Sequence, residues 1–279
     1  MKYIFKIIPL ILYFGINSLF LYKYGIRQDA FNIYALLILF NVLTVLIIFF
    51  LEKIKIKDNY LKIVFWSIVV SFFCFTIILN IKVDGNNLNV DRWSAMSVSI
   101  SALLENNYPY TELDHLNQGS SNLPSLFIIG LPFYLLGNIG FIQSFSFLFY
   151  TFLIYKTIKS PKARLAGILL LITSIFYLWE IYVKSDLMSN FIFILGFILL
   201  TPKNKFERPI QLGSLTGFLL LTRFVAIIPL SIMLFKDFLK TTKIKRALFI
   251  FSSLTFISVL VIFVFSKSPN LETTLEYNP

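Results

Sequence analysis

The sequence predicts an all-α fold, a polytopic transmembrane helix bundle of about eight or nine helices with an extracytoplasmic loop that bears a juxtamembrane amphipathic helix. Composition is the first reason, because 57% of the 279 residues are hydrophobic and only 14% are charged. Soluble domains average about 25% charged residues. The second reason is that apolar segments recur with lengths near the roughly 20 residues that cross a hydrocarbon core. The third is that basic residues cluster in short loops between these segments.

The apolar segments divide the chain into four parts. We expect N-terminal transmembrane helices over 1–81, an extracytoplasmic loop with an interfacial helix over 82–122, a transmembrane helical module over 123–266 and an extracytoplasmic tail over 267–279. The individual segments lie at about residues 3–22, 31–51, 61–81, 123–156, 165–182, 186–201, 210–235 and 246–266. The first is predicted as a transmembrane helix rather than a cleaved signal peptide, since it is long and lacks a small-residue cleavage pattern.

Charge placement predicts the orientation of these segments. With the N-terminus in the cytoplasm, 18 of the 25 Lys and Arg residues fall at cytoplasmic positions, and ten of the 14 Asp and Glu residues fall outside. Cytoplasmic loops of membrane proteins carry such an excess of basic residues. We therefore expect a multi-pass protein of the cell (cytoplasmic or inner) membrane with its N-terminus in the cytoplasm.

Two apolar segments do not fit a single straight span. Residues 123–156 make one net crossing, and the Gly-Asn-Ile-Gly sequence at 137–140 interrupts them, so we expect one part to be interfacial or re-entrant. Residues 210–235 have basic loops on both sides and must return to the side they left. Each half would be only about 18 Å long at about 1.5 Å per residue. We expect two short helices that turn near Arg223, with Arg223 at the outward tip of the hairpin.

The distribution of charge argues against a nucleic-acid-binding protein, and the single cysteine argues against a disulfide-stabilised or thiolate-metal protein. A net charge of +11 would suggest a nucleic-acid partner for a soluble protein. Here the positive charge faces the anionic cytoplasmic leaflet, so we expect membrane lipids as partners and no nucleic acid. The single cysteine, Cys74, lies in an apolar segment, which excludes a disulfide framework and a thiolate metal site.

The sequence contains a single histidine, and its surroundings leave open whether the chain binds a metal ion. His115 lies in an acidic part of the 82–122 loop, where a divalent cation could bind; a solvated loop histidine is the alternative. The neighbouring candidate ligands are Asp91, Glu112, Asp114 and Asn117.

The loop at 82–122 carries most of the candidate chemistry. From 93 to 104 its apolar residues recur at helical spacing and its serines fall largely on the remaining surface, which predicts a helix lying along the membrane. Asp91 precedes this helix and is either its N-cap or a rigidly held general base for a hydroxyl. Asp84 is the rival base, although its Asp-Gly-Asn-Asn context is also typical of a turn. The apolar positions are Trp93, Met96, Ile100, Leu103 and Leu104, and the serines are Ser94, Ser97, Ser99 and Ser101.

Several short motifs follow one another along the chain. They are Asp91-Arg92-Trp93, Asn107-Tyr108-Pro109-Tyr110, Leu123-Pro124-Ser125, Pro132-Phe133-Tyr134-Leu135-Leu136-Gly137, Lys184-Ser185-Asp186 and the segment 217–224, which contains Thr222-Arg223. Their order and common outward placement resemble the GT-C glycosyltransferases, polytopic enzymes that use polyprenyl-phosphate sugars and include mannosyltransferases. The resemblance covers about residues 82–235. The C-terminal helices or domain usual in that class are absent from this sequence, so we expect a C-terminally shortened chain.

The resemblance implies an inverting hexosyltransferase that moves a sugar from a polyprenyl-phosphate donor to a lipid, glycan or protein acceptor. It implies Asp91, or else Asp84, as the catalytic base. Arg223 and Lys184 would stabilise the leaving phosphate, for which the planar fork of arginine is well suited. The remaining candidates for substrate binding are Arg92, Tyr108, Tyr110 and Asp186.

Two other functions stay open from the sequence. A multi-pass transporter or flippase would line a substrate path with Arg223 and Asp186, although such carriers commonly show paired repeats and only one short hairpin is predicted here. A surface-polysaccharide polymerase or ligase would share the lipid carrier and the membrane side. Glu180 and Asp186 could also simply end helices at the interface.

Overall fold

The computed structural model describes residues 4–27, 32–53, 56–202 and 204–268, and within these ranges the chain is all-helical, as predicted. Single turns of 3-10 helix lie at Gly85–Asn87, Lys205–Glu207 and Phe224–Ala226. The α-helices are α1 (Ile4–Gly25), α2 (Ile33–Lys53), α3 (Asp58–Lys82), α4 (Arg92–Leu104), α5 (Pro124–Leu135), α6 (Phe141–Thr157), α7 (Pro161–Ile172), α8 (Ile175–Tyr182), α9 (Leu187–Leu200), α10 (Pro209–Leu220), α11 (Ile227–Lys240) and α12 (Lys243–Phe265).

Three of these helices, α2, α3 and α12, are long and apolar enough to cross a membrane. Helices α7 and α8 would together form a fourth span, bent by 56° between them. These lengths indicate a membrane protein, while the number of crossings and the side of the N-terminus stay predictions. Of the predicted tail at 267–279, all but the first two residues lies outside the described residues.

Three of the predicted apolar segments are each built from two helices. Segment 123–156 separates into α5 and α6 at residues 137–140, where the break was expected, and Gly137 there has a φ of +83°. Segment 210–235 separates at Arg223 into α10 and α11, also as expected. The single helix expected over 165–182 is wrong, because α7 ends at Ile172 and α8 begins at Ile175.

The break between α7 and α8 comes from polar groups that replace helical hydrogen bonds. Ser174 Oγ accepts from the Tyr177 N–H at 3.3 Å and donates to Asn17 Oδ1 at 2.8 Å. The same Asn17 oxygen accepts from the Phe176 N–H at 3.1 Å. Asn17 lies on α1, so a residue distant in sequence satisfies the first turn of α8.

Two apolar clusters support the region that holds the candidate site. The first joins α3, α6, α7 and α8 through Phe65, Val69, Phe147, Ile154, Ile168, Leu171, Tyr177 and Ile181. The second joins α4, α5 and α12 through Met96, Ile100, Leu126, Phe127 and Val264, together with Ile139. Helix α10 approaches α12 closely because glycine faces it, and a Cβ at Gly213 would lie 2.4 Å from the carbonyl oxygen of Phe249. Small residues permit such close helix packing.

The amphipathic helix is present as α4, but two features differ from the prediction. Its apolar residues Met96 and Ile100 are buried against α5, so they pack on protein. Ser94 and Ser99 are buried as well, which contradicts their expected place on the outer surface. The hydroxyl of Ser99 donates to the carbonyl of Ala95 at 2.7 Å within its own helix, which satisfies this buried group, and lies 3.3 Å from the carbonyl oxygen of Pro109.

Candidate functional site

The turn between α8 and α9 is the centre of the candidate site. Its residue Lys184 has a φ of +54°, which is uncommon for any residue but glycine. Glu180 fixes the turn twice, since its carbonyl accepts from the Ser185 N–H at 2.9 Å and its carboxylate accepts from the Met188 N–H at 3.2 Å. Gln143 of α6 donates its side-chain amide to the carbonyl of Ser185. The turn is therefore held by α6 as well as by its own flanking helices.

Lys184 lines a cavity of about 570 Å³ that Asp84 and Trp93 also line. The Lys184 Nζ lies 5.8 Å from the centroid of the Trp93 ring, within the range of a cation–π interaction. Burial lowers the pKa of Lys184, and the negative charge of Asp84 opposes that shift. The indole Nε1 of Trp93 is buried without a hydrogen-bond partner among the described residues. One cavity thus brings together a carboxylate, an ammonium group and an indole ring.

Asp186 and Arg223 form a bidentate ion pair beside this turn. The Arg223 Nε donates to Asp186 Oδ2 at 2.9 Å, and its NH2 group donates to Asp186 Oδ1. Asn190, one helical turn later on α9, donates to Asp186 Oδ2 at 2.6 Å. The Asp186 side chain is 1% exposed and that of Arg223 is 17% exposed. A pair this buried holds the tip of the α10–α11 hairpin against the start of α9.

Several polar groups beside the ion pair lack partners. The Ser125 N–H donates to the carbonyl of Leu221 at 3.1 Å, which brings the start of α5 against the end of α10. Asn122 Oδ1 lies 3.5 Å from the NH2 group of Arg223. Within the described ranges, Asn122 Nδ2, Ser125 Oγ and Asn190 Oδ1 are buried without a hydrogen-bond partner. Because buried polar groups are generally hydrogen-bonded, a polar ligand could supply the missing bonds here.

Asp91 stands at the start of α4 but does not cap it with its side chain. Its position at the N-cap of α4 is as predicted, and its carbonyl accepts from the Ala95 N–H at 2.9 Å, but its side chain makes no capping hydrogen bond. In the part of the chain that the structure describes, the half-buried carboxylate has neither a hydrogen-bond nor an ion-pair partner. The exposed guanidinium of Arg92 interacts electrostatically with Glu180, which places the start of α4 near the α8–α9 turn. No described contact joins Asp91 to Arg223.

Asp84 adopts the turn that its sequence context allows. Its carboxylate accepts from the Asn86 N–H at 3.0 Å, from the Asn86 side-chain amide at 3.1 Å and from that of Asn87 at 3.5 Å. These bonds fix an exposed carboxylate at the edge of the Lys184 cavity.

Tyr108 and Tyr110 pack on each other, with ring centroids 5.3 Å apart, and on Phe265 of α12. The Tyr110 hydroxyl donates to the carbonyl of Asn122 at 2.9 Å. Burial raises the pKa of Tyr110 to about 12, so it remains a neutral donor near pH 7. The structure therefore places Tyr110 behind Asn122, where it positions the residue that reaches Arg223.

His115 uses both of its ring nitrogens within the protein. Nδ1 lies 2.5 Å from Ser94 Oγ, and Nε2 lies 2.9 Å from the carbonyl oxygen of Leu88. Its ring also packs on Trp93 at 5.6 Å. No group of three or more His, Cys, Asp or Glu side chains is arranged for a metal ion among the described residues. His115 thus ties its part of the loop to α4.

The structure brings some predicted residues together and adds others. Lys184 with Asp84, and Asp186 with Arg223, form two clusters that share the four-residue turn between α8 and α9. Trp93, Asn122 and Asn190 were not predicted as site residues. Asn190 follows Asp186 by four positions, a spacing that puts two side chains on one helix face, and so could have been found from sequence. The contribution of Asn122 depends on tertiary packing and carries no such signal.

Comparison with models of protein families, with curated proteins and with solved structures finds no match to this chain.

Proposed function

We propose that this chain is a multi-pass membrane glycosyltransferase of the GT-C type. It transfers a sugar from a polyprenyl-phosphate donor to an envelope acceptor on the extracytoplasmic side. The cavity in which Asp84, Trp93 and Lys184 meet is the observation that carries the proposal. An ammonium group suits a phosphate and an indole suits the apolar face of a sugar. The apolar helices beside this cavity suit a polyprenyl chain.

The reaction needs a base for the acceptor hydroxyl. That hydroxyl attacks C1 of the sugar, its proton passes to a carboxylate, and the bond from C1 to the phosphate oxygen breaks, which releases polyprenyl phosphate. We assign the base to Asp91, because its carboxylate is held at the start of α4 and is not engaged by any described group. The carboxylate of Asp84, by contrast, already accepts three hydrogen bonds within its own turn. Asp84 serves instead to favour the ammonium form of Lys184.

Two cations stabilise the leaving phosphate in this proposal. Lys184 offers an ammonium group inside the cavity. Arg223 is oriented by Asp186 through two of its five N–H donors and by Asn122 through a third, and the other two remain for phosphate oxygens. The unpartnered Nδ2 of Asn122 can donate to the phosphate, whereas the unpartnered Oδ1 of Asn190 can accept from a sugar hydroxyl. Tyr110 positions Asn122 by donating to its carbonyl.

A transfer assay tests the proposal directly. Membranes that contain the chain are given a polyprenyl-phosphate hexose labelled in the sugar, and both products are followed. We expect label in an acceptor together with free polyprenyl phosphate, and a slower reaction for Lys184→Met. Lys82→Met is the matched control, because Lys82 is an exposed lysine at the end of α3 that does not line the cavity.

Each alternative function predicts another result of this assay. A transporter or flippase moves the donor intact and leaves the bond between sugar and phosphate unbroken. A polymerase or ligase transfers a preassembled glycan and leaves the monosaccharide donor unused. Either result would rule out the proposed transferase.

A further inference from the structure

A second and larger cavity lies at the other end of α9. Its volume is about 690 Å³, within the 300–1,000 Å³ typical of ligand pockets. Its mouth lies beyond the end of α9, about 20 Å from the Lys184 turn at about 1.5 Å for each residue of that helix, and its walls reach Phe193 of α9 and Leu219 of α10. Its position next to the 201–208 loop puts it on the predicted cytoplasmic side. It shares no lining residue with the Lys184 cavity.

The walls of this cavity are apolar and largely aromatic. They come from α5, α6, α9 and α10, and one side opens past Leu200 and Leu215, which are 39% and 53% exposed. The aromatic lining consists of Phe149, Phe193, Phe197 and Phe218. A cavity that is open along an apolar flank accepts a flexible hydrocarbon chain at little desolvation cost.

The mouth of the cavity is polar and, among the described residues that line it, Arg208 carries a positive charge without an ion-pair partner. Lys205 is neutralised by Asp237 at 2.6 Å, and Glu207 accepts from the Asn204 side-chain amide at 2.8 Å. Arg208 is exposed and has no ion-pair or hydrogen-bond partner among the described residues. The loop from 201 to 208 contains three basic residues and one acidic residue. The mouth thus favours an anion, in contrast to the uncharged walls.

We propose that this cavity holds one acyl chain of an anionic phospholipid of the cytoplasmic leaflet, with the lipid phosphate at Arg208. The apolar walls can bury the acyl chain, and the guanidinium can bind the phosphate. The cavity also lies on the predicted cytoplasmic side, where basic residues attract anionic lipids. This proposal does not depend on the transferase activity.

Lipid titration of the purified protein in detergent tests the proposal. Phosphatidylglycerol and phosphatidylcholine of identical chains are added separately, and apparent affinity is read from the rise in the unfolding temperature. We expect phosphatidylglycerol to bind more tightly, and Arg208→Gln to weaken its binding about fivefold, the equivalent of about 1 kcal/mol per basic residue. Sodium phosphate, which has no acyl chain, should produce no rise.

Two matched controls separate the site from general surface effects. Lys159→Gln removes an exposed positive charge from another loop of the predicted cytoplasmic side and should change nothing. Leu215→Trp fills the open flank and should weaken both lipids, whereas Ile210→Trp, on the same helix but outside the cavity, should weaken neither. The proposal is overturned if both lipids bind equally, if either control matches its test variant, or if no lipid raises the unfolding temperature.

Discussion

At the scale of single residues, the charge state of Lys184 depends on Asp84. Burial lowers the pKa of the lysine, and the aspartate partly restores it. The ammonium form is the one that can stabilise a leaving phosphate, so Asp84 extends the pH range over which the site is competent. The two residues lie a hundred positions apart in the sequence, and only the fold reveals this dependence.

Asp84→Asn should therefore shift the alkaline limb of the transfer rate to lower pH. Removal of the negative charge leaves burial unopposed, the pKa of Lys184 falls further, and the ammonium form is lost earlier as pH rises. The measurement is the pH profile of transfer for the wild type and the variant. Glu105→Gln, which removes a charge from the same loop, should keep the wild-type profile; an unshifted Asp84→Asn profile would contradict the pairing.

The ion pair of Asp186 and Arg223 gives a prediction about stability. Asp186→Asn leaves a largely buried guanidinium without its counter-charge and should lower the free energy of unfolding by about 3 kcal/mol. A double variant that replaces both residues by Asn and Met should be less destabilised than the sum of the single changes. Denaturant titrations in mixed micelles measure the free energy of unfolding of Asp186→Asn, of Arg223→Met and of the double variant. Additive effects would show that the two side chains are not coupled.

At the scale of elements, short sequence patterns predicted those helices and helix breaks that depend only on neighbouring residues. The helical periodicity of 93–104 predicts α4, and the Gly-rich sequence at 137–140 predicts the break between α5 and α6. The break between α7 and α8 escaped prediction because Asn17 of α1 satisfies it. Asp91 lies at the N-cap position as predicted, but its helical backbone leaves its side chain without a capping hydrogen bond. What the sequence did not reveal depends on contacts between elements distant along the chain.

Gly140 is the point where three elements meet most closely. A Cβ at this position would lie 1.8 Å from Asn80 Oδ1 of α3 and 2.9 Å from Lys184 Cγ of the α8–α9 turn. Gly140→Ala should displace the lysine, lower the transfer rate and cost about 1–3 kcal/mol of stability. Gly119→Ala is the control, since its nearest neighbour would be 3.7 Å away. Equal activity of the two variants would mean that the position of the Lys184 side chain does not depend on the packing around Gly140.

At the scale of the whole molecule, the account depends on orientation. Basic loops and the acidic 82–122 loop must lie on opposite sides of the membrane. Alkaline phosphatase fused after residue 115 should be active, and a fluorescent protein fused after residue 204 should be bright. A cytoplasmic signal at 115 would place the candidate site on the wrong side for a polyprenyl-linked donor of the outer leaflet.

The central claim is that the outward loop supplies the base for sugar transfer. Its most direct test is the transfer rate of Asp91→Asn, measured beside Glu105→Gln at equal amounts of folded protein. The account predicts a loss of about 100- to 10,000-fold for Asp91→Asn and wild-type activity for Glu105→Gln. Full activity of Asp91→Asn would contradict the assignment.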